Sequence, residues 1–130
     1  MERLTFLVDS NIFLEGLLEQ EKSNQVNSFL KGNKLNTISI SDLALFSIGI
    51  ILSKLKKKDV FTFFLNDLII EWIEVLSLGK PALKEVIDNS NKFNLDFDDA
   101  YQYTIAKNYD LKLVSFDKDF DKTDIKRLEL

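Results

Sequence analysis

The sequence predicts an α/β fold: a three-layer α/β/α sandwich with a mainly parallel sheet of four to five strands. Three observations predict it. Short apolar runs of strand length recur along the chain, helical stretches separate them, and strands joined through helices make right-handed crossovers that leave helices on both sheet faces. The 130 residues are 45% hydrophobic, enough to bury a core, and they carry no repeat, linker or low-complexity stretch that would divide residues 1–130 into more than one domain.

The elements follow in order. Leu4-Thr5-Phe6-Leu7-Val8 is an apolar run that ends in Asp9 and reads as a buried first strand. From Asn11 to Gln20 the apolar positions 12, 13, 14, 17 and 18 suit a helix, and a second helix runs from Ser23 to Lys31, with Gly32 as its C-terminal cap. Thr37-Ile38-Ser39-Ile40 is a second strand. Ser41 caps a long helix reaching about Lys57, apolar nearly all round from Leu43 to Leu52 and closed by Lys54, Lys56, Lys57 and Lys58. Asp59 caps a helix to about Leu68, and Trp72 to Leu76 form a third strand. Gly79 breaks the chain, and Pro81 opens a helix to about Lys92. A helix from about Asp98 to Asn108 leads into a fourth strand, Leu111 to Ser115, and Ile125 to Leu130 are read as an added edge strand.

Composition narrows the chemistry. The chain has neither cysteine nor histidine, which removes disulfides, thiolate catalysis, zinc–sulfur sites and imidazole bases. Any metal site must then be built from oxygen. A net charge of −4 argues against a nucleic-acid binder that grips through bulk positive charge, yet leaves room for a nuclease whose acids hold metal. Met1-Glu2-Arg3 leads straight into the first strand without the pattern of a secretory signal, and the longest apolar stretch falls short of the ~20 residues that cross a bilayer. A soluble, cytoplasmic protein is expected. There is no glycine-rich phosphate loop and hence no support for nucleotide binding.

The acids at the strand ends carry the functional reading. Asp9 follows the first strand, Asp117 lies just past the fourth, and Asp98 and Asp99 open the helix before it. In a parallel sheet, ligands bind beyond the carboxyl ends of the strands where the strand order reverses. If the first and fourth strands are neighbours, three segments bring carboxylates to one edge. Like charges there raise one another's pKa, and a divalent cation, Mg2+ or Mn2+ for an all-oxygen set, removes the penalty. Taken singly, each aspartate is more often a turn former or helix cap; the three together on one sheet edge shift the balance toward a site.

These residues resemble a known family. Leu7-Val8-Asp9-Ser10-Asn11-Ile12-Phe13 is similar to the opening PIN-domain motif, a strand followed by Asp-x-Asn. Asp98-Asp99-Ala100 with Ile105-Ala106 resembles its third acidic motif, and Leu113-Val114-Ser115-Phe116-Asp117-Lys118-Asp119-Phe120 its closing one. The ordered set spans nearly the whole chain. The resemblance implies a parallel sheet flanked by helices and cleavage of single-stranded RNA with Mg2+ or Mn2+. Many small members are toxins of toxin–antitoxin pairs (the VapC type), dimeric and silenced by a small antitoxin. It places Asp9, Asp99 and Asp117 on metal-binding positions and Asn11 and Ser115 on supporting ones. Asp119 falls on a further ligand or supporting position, and Asp98 is a weaker candidate.

The sequence departs from the family at one point. A glutamate is usual about two turns into the helix after the second strand; that position falls near Ser47, and Leu43 to Ser53 holds no acid. Asp42, the nearest carboxylate, lies five residues earlier, which rotates it by about 140° and shifts it by about 7.5 Å along a helix. It is a substitute ligand or a first-turn acid favoured by the helix dipole. Lys54 to Lys58 and the phenylalanines 61, 63 and 64 offer phosphate contacts and base stacking; a solvated helix end and core packing explain them better. The apolar helix from Leu43 is read as buried, with some contribution to a dimer. Three functions are therefore weighed: a metal-dependent endoribonuclease, a catalytically degenerate RNA-binding or regulatory module of the same fold, and, remotely, a phosphoryl-transfer domain with Asp9 as nucleophile.

Overall fold

The computed structural model describes residues 3–130, so the reading of Met1 and Glu2 lies outside the described residues. Four strands form one all-parallel sheet: β1 (Phe6–Val8), β2 (Ile38–Ser41), β3 (Glu74–Leu76) and β4 (Lys112–Val114), in the order β3-β2-β1-β4. Among the described residues, six α-helices flank it: α1 (Ser10–Leu17), α2 (Ser23–Gly32), α3 (Asp42–Lys54), α4 (Lys58–Phe64), α5 (Ala82–Phe93) and α6 (Phe97–Asn108). The expected fold class is the observed one.

Strand alternation divides the side chains between two cores. Val8, Ile38, Ile40 and Val114 pack with Ile12, Phe13, Ile48, Leu52 and Phe64 on the face covered by α1 to α4. Leu7, Leu113 and Leu76 turn to the opposite face, against Val86, Ala100, Ile105 and Phe120. Because β1 lies between β2 and β4, the chain moves one way from β1 and later returns to its other side. The order therefore reverses between β1 and β4, and the crevice beyond their carboxyl ends is the one such sheets use for ligands.

Several boundaries differ from expectation, each for a local reason. Helix α3 ends at Lys54 because Lys56 takes a left-handed φ of 59° and the Lys57 N–H turns back to the Leu52 carbonyl. Gly32 is the last residue of α2, and Asn33 after it is extended, so no left-handed glycine cap forms there. Lys57, not Asp59, occupies the cap position of α4, which continues into a π-turn over Leu65–Ile69. That turn holds the Ile73 N–H on the Leu68 carbonyl and shortens β3 to Glu74–Leu76. Helix α5 ends on Asn94 in the left-handed region (φ 54°). The expected edge strand over 125–130 reduces to one parallel bridge, Val114 to Leu128. Arg127 takes the Ser115 carbonyl through its guanidinium (3.1 Å), an acceptor that a longer ladder would need.

Candidate metal centre

The site begins with backbone geometry. The Asp9 N–H still bonds the Val114 carbonyl (2.9 Å), so Asp9 is the last position held in register with β4 before α1 begins. It is the N-cap of α1, and its Oδ1 accepts from the Ser10 N–H at 2.7 Å. The other oxygen, Oδ2, accepts from Ser115 Oγ (2.7 Å) and from Asn11 Nδ2 (3.4 Å). Ser115 Oγ in turn accepts from the Asp117 N–H (2.9 Å), while Asn11 Oδ1 accepts from the Phe116 N–H (3.2 Å). The spacing of Asp9 with Asn11 and of Ser115 with Asp117 thus locks α1 to the loop after β4.

Asp99, Asp117 and Asp119 each present a carboxylate oxygen, and these oxygens lie within 4.8 Å of one another. Asp99 projects from the first turn of α6, and Asp117 and Asp119 from the 3-10 turn that follows β4. One Asp117 oxygen accepts from the Asp119 N–H (2.9 Å), fixing the loop. Burial, and then the charges of Asp117, Asp98, Asp9 and Asp119, raise the Asp99 carboxyl to about 7. Asp9 is also pushed up, by desolvation against the pull of its hydrogen bonds, with Asp117 adding repulsion. Lys122 Nζ stands 3.7 Å from Asp119 Oδ1, a largely solvent-exposed pair that offsets little of the repulsion at Asp99. An all-oxygen cluster with surplus negative charge is the donor set that a hard divalent cation fits.

The remaining predicted residues divide. Asp98 is exposed and lies beside Asp99 on a small cavity. Asp42 is engaged elsewhere: its Oδ1 accepts from the Leu43 N–H and the Tyr101 hydroxyl, both at 2.8 Å, and it does not join the three meeting carboxylates. Ser47 lines the same cavity as Asp9 and Asp99, so the position where an acid is absent does face the site. Sequence reasoning missed Gln102. It is 4% exposed and donates from Nε2 to Asp9 Oδ1 at 3.0 Å. Its signal was its place three residues after Asp99, on the same helix face.

Three aspartates thus meet in the crevice at the reversal point of a parallel sheet, where α/β proteins of this build take their ligands. A family model for the PIN domain matches residues 6–126, and the chain belongs to that family. No curated protein matches it by sequence. Solved structures with the same fold include a toxin–antitoxin complex from Klebsiella pneumoniae (TM-score 0.75, 15% identity, 97% of this chain and 100% of that one). VapC20 from Mycobacterium tuberculosis, described as a Sarcin-Ricin loop cleaving toxin, superposes with TM-score 0.78 at 10% identity over 95% of this chain and 98% of its own. FitAcB from Neisseria gonorrhoeae gives 0.74 at 20% identity over 95% and 96%. At these identities the likeness establishes the fold.

Proposed function

We propose that the chain is a metal-dependent endoribonuclease acting on single-stranded RNA, and the toxin of a toxin–antitoxin pair. The observation that carries this reading is the meeting of Asp99, Asp117 and Asp119 within 4.8 Å, where repulsion raises the Asp99 carboxyl to about 7. Asp99, Asp117 and Asp119, whose oxygens meet, together with Asp9 beside them, are the proposed holders of Mg2+ or Mn2+, with Asp98 at the margin. A divalent cation, when bound, supplies an activated water and neutralises charge on the attacked phosphodiester.

The chain's own residues prepare that chemistry. Ser115 and Asn11 hold the Asp9 carboxylate in one orientation, as partners of ligands do. Asp117 keeps Asp119 close through its backbone bond. Asp99, near neutrality, gives up its proton when a cation arrives. Membership of a nuclease family supports hydrolysis, and neighbours that are toxins or toxin–antitoxin complexes support an antitoxin partner. A homodimer and a cytoplasmic setting belong to the same proposal. Among the described residues no helix is long and apolar enough to cross a membrane.

One observation favours the second reading, a degenerate RNA-binding or regulatory module: the cavity beside Asp9 and Asp99 is lined by Ser47 rather than an acid. End-labelled single-stranded RNA decides between them. The nuclease reading expects cleavage with Mn2+ or Mg2+, none in EDTA, and a loss of at least about a hundredfold for Asp9→Asn and Asp99→Asn, worth about 2.7 kcal/mol of barrier. Binding without cleavage under all these conditions would establish the degenerate module instead.

A further inference from the structure

Residues 127–129 reach back to the loop after β4, and one side chain makes most of the grip. The Arg127 side chain is only 8% exposed, and its guanidinium closes on two points of that loop. Nη1 donates to the Ser115 carbonyl at 3.1 Å, where the loop leaves β4. Nε and Nη2 donate to the two carboxylate oxygens of Asp121 at 3.0 and 3.2 Å, near the end of the 3-10 turn that follows. Asp117 and Asp119 lie between those points. Glu129, 3.2 Å from Nη1, braces the guanidinium itself. The Ser115 N–H also donates to the Leu128 carbonyl at 3.1 Å. Ser115 is thus held on its main chain from one side, while its hydroxyl donates to Asp9 and accepts from the Asp117 N–H on the other.

We propose that Arg127 is the clamp that sets the spacing of the metal-holding acids: it closes the loop from Ser115 to Asp121, so that Asp117 and Asp119 stay beside Asp99 before a cation arrives. The inference rests on the metal-centre reading given above. Carboxylates whose oxygens lie within 4.8 Å repel in the cation-free protein, and a loop free to open would separate them. A planar fork held at both edges resists that opening, which a single-point ammonium does not. Preorganisation of this kind lowers the cost of assembling the site around a cation. Charge alone predicts the opposite sign, since taking a positive group away from an acidic site should tighten cation binding. Arg127 is a positioning residue, because it acts through Ser115 and the loop.

Calorimetric titration of the full chain with MnCl2, without RNA, reads the affinity, and amide hydrogen exchange followed by NMR in EDTA reads the loop. Arg127→Met is expected to weaken Mn2+ binding by about tenfold, the lower end of what losing a ligand's own partner costs. The Asp117 and Asp119 N–H groups, bonded to Ser115 Oγ and to Asp117, are expected to exchange about tenfold faster in that variant, with the amides of α3 unchanged. Arg127→Lys keeps the charge without the fork; it is expected to weaken binding too, and serves if Arg127→Met does not fold. Val26→Ala, a core truncation on α2, is expected to lower stability and leave the affinity as it is. The inference is overturned if Arg127→Met binds Mn2+ as tightly as the wild type or more tightly, or if its Asp117 and Asp119 amides exchange at the wild-type rate. It is also overturned if Arg127→Lys matches the wild type in both readings, or if Val26→Ala loses as much affinity as Arg127→Met. Wild-type binding that Asp99→Asn abolishes, but Arg127→Met leaves intact, sinks this inference alone. A wild type that takes up no Mn2+ sinks the metal reading with it.

Discussion

Asp99 sets the residue scale, since its carboxyl titrates near 7 rather than near the ordinary carboxylate value of 3.8. Between those two values the native protein retains a proton that the unfolded chain has released. Stability from this group is therefore lost as pH rises from about 4 to about 7, and is level above that. Asp9 is shifted in the same direction and adds to the slope. Urea unfolding in EDTA is expected to show a lower midpoint at pH 8 than at pH 5, with Asp99→Asn flattening the difference. Added Mn2+ at pH 8 should restore the midpoint in the wild type and leave Asp99→Asn unmoved. A midpoint that rises from pH 5 to pH 8 would refute the assignment of repulsion at Asp99. Asp9 and Asp117 were legible in the sequence because Asp9 follows β1 directly and Asp117 lies just past β4. Gln102 was not, because a glutamine in a helix announces no chemistry, and its role depends on α6 packing against β1 and α3.

At the scale of elements, α3 shows both what local sequence decides and what it hides. Ser41 Oγ accepts from the Ala44 N–H at 2.9 Å in a buried setting, the cap that a serine after a strand leads one to expect. Ser41→Ala is expected to cost about 1 kcal/mol in chemical denaturation, and a cost near zero would show that another acceptor replaces it. The end of the same helix was hidden, since a lysine run gives no sign that Lys56 will adopt a left-handed turn. Strand β3 was overread for a similar reason. Trp72 and Ile73 have strand-forming side chains, but tertiary packing draws Ile73 into the preceding π-turn. The tail failed as a strand because Arg127, tied to Asp121 and Glu129 as well as to the Ser115 carbonyl, fixes it by side-chain bonds.

At the scale of the whole molecule, parallel order and two-sided burial were readable because both follow from strands that alternate with helices. The strand order was not, since the apolar runs look alike and nothing local marks β1 as central. Helix α3 was read as buried with a share in a dimer, and one of its faces is buried while another is exposed. Ile48 and Leu52 are fully buried, whereas Phe46 is 60% and Ile50 55% exposed. Ile50→Lys is expected to shift the proposed homodimer toward monomer in light scattering after size exclusion, with the Mn2+ affinity of the chain unchanged. A wild type that is monomeric at every concentration would remove the dimer from the account. The central claim is that carboxylates from the ends of β1 and β4 and the start of α6 converge on one divalent cation. Anomalous diffraction from a manganese-soaked crystal tests it most directly. The account predicts a manganese peak between Asp99 and Asp117, in contact with Asp9 or its hydration, and none in an Asp99→Asn crystal. Ordered carboxylates with no peak among them, or a peak unchanged by Asp99→Asn, would contradict it.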